Sequence, residues 1–404
     1  MVYFYGLFWE FFFKLHFMKN SNRALRFVIL LGLVSLFSDM TYEAARSING
    51  PFLKVLGANA FTVGLVAGLG ELLGYGLRLL SGWIADRTRK YWLIVFVGYA
   101  LNLFSVPLLA LAGYWQIAVM LMILERVGKA VRTPSRDALL SFATQQTGRG
   151  WGYGLHEAMD QIGATLGPLL VSAALFYRQE HYAFAYSLLI VPAIIAIAIL
   201  IVSRYLYPFP EKLEVKKLTL ETGSLRNTYW IYLGAVVLVA AGYADFPLIA
   251  FHFKAKSMMA DSYIPLMYAL AMATDALSAL VFGRWFDRRG IGVLIPAIVL
   301  SLLFAPFVFL GDIGFAIAGM VLWGIGMGVQ ESVMKAQIAT LVPPERRGAA
   351  FGTFHAAYGL FWFGGSALMG YLYNISLPAL VLFSVLTQLL SVLFLFRLVR
   401  NTAK

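Results

Sequence analysis

The sequence predicts an all-α membrane protein: twelve transmembrane helices in two similar six-helix bundles. Three observations carry that expectation. Hydrophobic residues make up 60% of the 404 and charged residues only 13%, with a mean hydropathy of +0.77, whereas about a quarter of residues are charged in a soluble domain. The apolar residues arrive in long blocks, and about 20 such residues cross a ~30 Å hydrocarbon core as a helix. Two residue patterns recur, one after 201 positions and the other after 198.

The blocks fall roughly at 25–47, 60–84, 91–112, 116–141, 151–176 and 182–206, then at 228–252, 262–283, 291–311, 314–341, 349–373 and 377–400. Strands of a membrane barrel would be about 10 residues long and alternating, and these runs are neither. A first bundle over 25–206 and a second over 228–404 are joined by a linker over 207–227, rich in Pro, Glu and Lys. In the leading segment, 1–24, the aromatics Trp9, Phe11, Phe12 and Phe13 suit an interfacial helix, while Met18 also suits a chain start. No small-residue cleavage site follows, so a cleavable signal peptide is not expected.

The net charge of +12 reads as topology once its distribution is followed. Of 32 Lys and Arg, 21 lie in the N-terminal segment, the loops after even-numbered spans and the C-terminus. The opposite loops hold four, Lys54, Arg178, Lys254 and Lys256. That asymmetry predicts a plasma-membrane protein with both termini cytoplasmic. Contact with the lipid bilayer follows, and nucleic acid is not an expected partner. With no cysteine, disulfides and thiolate metal sites are excluded.

The repeats fall at equivalent places. Gly82, Asp86 and Arg87 return as Gly283, Asp287 and Arg288, each set after the second helix of its half. Arg149-Gly150 with Tyr153-Gly154 returns as Arg347-Gly348 with Phe351-Gly352, each opening a fifth helix. Asp39 has a rough counterpart in Asp245. Duplicated helical units place a site at their interface, exposed alternately to each side.

These residues carry a family resemblance. Gly82-Trp-Ile-Ala-Asp86-Arg87-Thr-Arg89-Lys90 resembles the loop signature G-x-x-x-D-[RK]-x-G-[RK]-[RK] of the major facilitator superfamily, lacking the glycine before the basic pair. The second copy keeps Asp287-Arg288-Arg289-Gly290 and loses that pair. Gly163-x-x-x-Gly167-Pro168 in the fifth helix is similar to the motif of that superfamily's antiporters, with Val171 and Ser172 in place of two later glycines. The resemblance implies the superfamily's fold, a monomer, and a secondary transporter of a small organic solute with no cofactor, on the proton-coupled export branch. Asp86 can accept backbone N–H groups at a neighbouring helix N-terminus. It would then latch a cytoplasmic gate together with Gly82, Arg87, Arg89, Lys90, Arg136, Gly283, Asp287 and Arg288.

Charges inside helices are the other signal, because each costs about 2.5–3.5 kcal/mol in a bilayer even on insertion scales. The first half holds Arg46, Arg78, Arg126, Lys129, Arg132 and Arg136 with Asp39, Glu43, Glu71, Glu125, Asp137, Glu157 and Asp160. The second holds only Lys335, Asp245, Asp275 and Glu331. Glu125, Lys129, Arg132 and Arg136 form one stripe of the fourth helix. A turn over 142–150 matches Lys129 with Asp160 and Arg132 with Glu157 in depth. This is either a proton switch or a static ladder, since buried ion pairs are weak evidence for stability. Asp39, Glu43 and Arg46 share a face of the first helix. Glu71 sits near mid-membrane, either without an adjacent base, which suits a proton carrier, or paired with Arg126.

His156 precedes Glu157 and Asp160, but a zinc-protease helix needs a second histidine there. A divalent-metal site formed by Asp39, Asp245 and His156 is a minor alternative, so none is assigned. His355, which matches Glu157 in the repeat, reads as cavity lining, and Gly324, Gly326 and Gly328 read as close helix packing. No catalytic arrangement is present, so an enzyme is not expected. Proton and substrate work falls to Asp39, Glu43, Glu71, Arg78, Glu125, Arg126, Lys129, Arg132, His156, Glu157, Asp160 and Asp245. An uptake symporter or facilitator for an anion is the alternative.

Overall fold

Where apolar runs meet hydrogen-bonding caps, the helices of the computed structural model begin. Asn59 accepts the Thr62 amide at 2.9 Å, and Asp312 accepts the amides of Gly314 and Phe315 at 3.0 and 3.1 Å, satisfying donors that a helix N-terminus leaves orphaned. The structure describes residues 23–147, 149–179, 181–210, 227–341 and 347–402. Most of the expected leading segment and of the linker lies outside them. Among the described residues every regular element is helical.

Twelve spans follow in order. In the first half these are α1 (Arg23–Val55), α2 (Ala60–Thr88), α3 (Tyr91–Leu111), α4 (Trp115–Thr147), α5 (Arg149–Tyr177) and α6 (Tyr182–Leu206). The second half has α7 (Thr228–Ala255), α8 (Ile264–Arg289), α9 (Gly290–Leu310), α10 (Ile313–Leu341), α11 (Arg347–Ile375) and α12 (Leu377–Thr402). Ten are long and apolar enough to cross a membrane by composition alone; the other two are charge-laden α4 and α11, rich in Gly and Tyr. Two spans break at sites that matter below. α7 is two helices, Asn227–Gly242 and Phe246–Ala255, the second capped by Asp245 with Pro247 in its first turn, where a missing N–H costs nothing. α10 breaks at Ser332, between Ile313–Glu331 and Val333–Leu341.

Contacts between the bundles obey the repeat. Ser172 donates to the Ser262 carbonyl at 2.6 Å, and the equivalent positions, Gly370 and Phe61, also touch. Arg46 and Asp245, 199 residues apart, meet directly, as equivalent positions do beside a two-fold axis. Asp245 is therefore the counterpart of Arg46, not of Asp39.

The bundles close on each other in the half away from the chain termini. A Cβ on Gly50 would strike the Pro247 carbonyl, and one on Gly64 the Ser366 carbonyl, so bare glycine lets α1 meet α7 and α2 meet α11 backbone to backbone. Tyr182 of α6 donates to Asp261 at 2.5 Å, and Lys254 pairs with the same carboxylate. Large exposed apolar side chains such as Leu79, Leu280, Phe176 and Leu393 face outward, as lipid-facing surfaces require.

Candidate functional site

A cleft between the bundles, open to solvent, is lined by Arg46, Glu71, Tyr75, Met327, Gln330, Glu331, Lys335, Phe354, Tyr358 and Trp362. Its roof is ionic. Arg46 Nη2 donates to Asp245 Oδ1 at 2.7 Å across the seam and to Glu71 Oε1 at 3.1 Å within its own bundle. Asp245 Oδ2 accepts from Trp362 Nε1 at 3.1 Å. The break in α7 puts this carboxylate at a helix N-terminus, where negative charge is favoured.

The network continues into the first bundle. Arg126 lies 3.4 Å from Glu71 and 3.3 Å from Glu125, and Asn102 donates to Glu125 at 2.7 Å. Glu71 thus has two bases, Arg126 as one alternative proposed and Arg46 besides. Glu43 pairs with Lys129 at 3.7 Å and accepts the Tyr268 hydroxyl at 2.6 Å, another contact across the seam. Lys129 also lies over the Tyr42 ring, 3.9 Å from its centroid.

The expected ladder between α4 and α5 is replaced by another. Lys129 pairs with Glu43 rather than Asp160. Arg132, fully buried, stacks 4.3 Å from the Tyr99 centroid, while Glu157 is exposed and meets Gln161 at 3.4 Å. Asp160 instead takes Arg136 at 3.8 Å and His156 at 3.4 Å. The reason is register. α4 runs to Thr147 and α5 starts at Arg149, so Arg136 and Asp160 lie equally far from the facing helix ends. α1 also packs far more of its length on α5 than α4 does, which gives Glu43 access to Lys129. Ser35 ties this group together, meeting His156 Nε2 at 3.0 Å and accepting from Arg136 at 3.2 Å.

Asp39 is buried with one oxygen, Oδ1, lacking a hydrogen-bond partner among the described residues. Asp39, Asp245 and His156 serve different partners, and among the described residues no group of three His, Asp or Glu could hold a metal ion. Arg78 lies 5.0 Å from the Tyr75 centroid and His355 stacks on that ring at 5.3 Å. Gly163 and Gly167 press against the Leu36 and Met40 carbonyls of α1, and Pro168 sits within α5. Gly324 and Gly328 fit against the Ala271 and Asp275 carbonyls of α8, the close packing expected of them.

At the loop motif, Gly82 faces Pro134, Gly283 faces open space, and Arg87 lies over the Trp83 ring at 5.2 Å. The side chains of Asp86 and Asp287 are outside the described residues. Arg89 caps α2 at φ 53°, and its repeat equivalent Gly290 caps α8 at φ 62°. The motif's glycine position thus has positive φ in both copies, with ψ 17° at Arg89 and −153° at Gly290, and Arg89 occupies it without the freedom of glycine. Lys90 and Arg288 are exposed beside these caps.

Sequence reasoning missed Tyr268, Tyr99, Asn102 and Ser35, and gave Trp362 no role. Asn102 had a usable signal, a lone amide in an apolar span. The tyrosines had none, because bilayer proteins use that residue widely at interfaces.

The family model described as Major Facilitator Superfamily matches residues 31–329 and 231–404. An uncharacterized protein of Mycobacterium tuberculosis is 41% identical over 384 residues, covering 94% of each chain. A multidrug resistance protein, MdtH of Photorhabdus laumondii, is 26% identical over 310 residues, covering 74% of this chain and 75% of the relative. Among solved structures, the nucleoside transporter NupG superposes with a TM-score of 0.72 at 14% identity, covering 93% of this chain and 98% of that one. A bacterial homolog of the human lysosomal transporter Spinster also gives 0.72, at 15% identity, covering 95% and 98% of the two chains.

Proposed function

The chain belongs to the major facilitator superfamily of membrane transporters, and from that premise we propose that it exports a small organic solute in exchange for protons. Both termini are cytoplasmic in this reading, so the closed half of the bundles faces outward and the cleft serves the cytoplasmic side. Asp86 and its neighbours would latch the opposite state. One observation carries the coupling: Arg46 bridges Asp245 of one bundle and Glu71 of the other. A proton on Asp245 cancels the charge that holds Arg46 across the seam. A proton on Glu71 frees Arg46 to bind Asp245 alone, and leaves Arg126 to Glu125. Loading thus changes which bundle holds the arginine. Asp160, with His156 and Arg136, is a second exchange point nearer the cytoplasm.

Export is favoured over uptake by likeness to a multidrug resistance protein. An anion facilitator is the second reading, favoured by Arg132, whose guanidinium has no hydrogen-bond acceptor among the described residues. Arg126 and Lys129 are already paired, which weakens it. The test is flux into vesicles holding a trapped pH dye under an imposed proton gradient, with lipophilic cations, organic anions and divalent metals supplied in turn. Solute-dependent proton flux is expected, lost in Glu71→Gln and reduced in Asp160→Asn. Solute movement with no proton movement would overturn the coupling, and if the solute were an organic anion the second reading would replace it.

A further inference from the structure

Two charges on the cleft wall stand outside the ion pairs found among the described residues. Glu331 ends the first helix of α10 and is exposed, and Lys335 lies one turn further on, half-buried. Both line the cleft, and among the described residues neither side chain has an ion-pair or hydrogen-bond partner. An acid four residues before a lysine pairs readily on a continuous helix. Here the helix breaks at Ser332, whose hydroxyl turns back to the Gly328 carbonyl. The break separates the pair and leaves a negative and a positive pole side by side, open to the cleft. Both charges face the open cleft, where a ligand of complementary charge would take the place of water.

The other cleft charges are committed. Arg46 and Glu71 hold each other, so they offer a solute little net field. The remaining wall is aromatic. Tyr75 and Tyr358 meet edge to face with centroids 5.7 Å apart, and Tyr358 and Trp362 lie 5.4 Å apart. Such faces bind flat apolar bodies.

We infer that the cleft selects an amphoteric aromatic solute, with Glu331 taking its amine, Lys335 its carboxylate and the aromatic wall its ring. This rests on the transport reading but not on proton coupling. The test is competition for labelled tryptophan on the purified full chain in detergent, against tryptamine and indole-3-propionate. The three share one ring system and differ only in charge. Tryptophan is expected to bind about tenfold more tightly than either analogue, the worth of one charge-assisted contact. Glu331→Gln should erase its advantage over indole-3-propionate, and Lys335→Met its advantage over tryptamine. The exchange Glu331→Lys/Lys335→Glu keeps both poles and should still prefer tryptophan, which guards against misfolding of the single variants. Equal binding of all three compounds, binding of none, or a ranking unchanged in both single variants would overturn the inference. Binding needs no gradient, so loss of tryptophan binding beside intact proton-coupled flux of another solute sinks this inference alone.

Discussion

In the first bundle the repeat places His156, Glu157 and Asp160 on α5; at the equivalent positions the second bundle has Phe354, His355 and Tyr358 on α11. Glu71 of α2 corresponds to Met272 of α8, and Arg78 to Ala279. The two halves share a backbone plan and differ in how they satisfy polar groups. In the first, charges satisfy charges through Glu43, Glu71, Lys129, Arg126 and Arg136. In the second, the Lys254–Asp261 pair aside, hydroxyls satisfy backbone carbonyls: Tyr229 donates to Ala350 and Tyr232 to Met334, each at 2.6 Å. A carbonyl has no protonation state to change near neutral pH. A carboxylate shared between two bases has one, and a single proton redistributes its partners. In the proposed mechanism one half is therefore the part that switches and the other the fixed wall, joined where Arg46 reaches Asp245.

Removing that joint should have the largest effect. Arg46→Met leaves Asp245 and Glu71 facing each other without their shared base. Breaking a buried pair by deleting one partner costs about 3–5 kcal/mol. The purified variant is expected to melt well below the parent, and the double variant Arg46→Met/Asp245→Asn to recover part of that loss without recovering transport. Thermal unfolding in detergent reads the first outcome and vesicle flux the second. A single variant that melts with the parent would mean the bridge contributes nothing across the seam.

A smaller effect is expected in the fixed half. Tyr232→Phe removes one neutral hydrogen bond, worth about 1 kcal/mol, with some added cost for the carbonyl left unpaired. Melting should fall modestly while the solute dependence of proton flux stays that of the parent. Altered coupling in this variant would erase the contrast between the halves.

Much of this fold was legible because a bilayer forces long apolar runs, and because the repeat could be counted. The concentration of charge in the first half was legible for the same reason, since ionisable residues stand out in apolar spans. Their partners were not. Pairing Lys129 with Asp160 required knowing where a helical hairpin turns, and apolarity fades before the helices end: α4 continues through polar Ser141 to Thr147. The contact of Glu43 with Tyr268 joins residues 225 positions apart in different bundles, which no local pattern reports. The break in α10 was equally hidden, because Gln330-Glu331-Ser332 carries neither proline nor glycine.

The loop motif offers the finest contrast between the halves. Its glycine position adopts φ 53° at Arg89 and φ 62° at Gly290, so one copy holds a side chain where the other has none. The left-handed conformation costs a non-glycine residue about 1–2 kcal/mol, although glycine's freer unfolded chain returns part of any gain. Arg89→Gly is therefore expected to raise the melting temperature slightly, and Gly290→Ala, at ψ −153° where only glycine is at ease, to lower it by more. Because Arg89 is exposed, no packing is lost in the first exchange and the two shifts should be opposite in sign. If Arg89→Gly melts lower than the parent, the arginine contributes more through its charge at the membrane surface than its backbone costs, and the two caps are not equivalent.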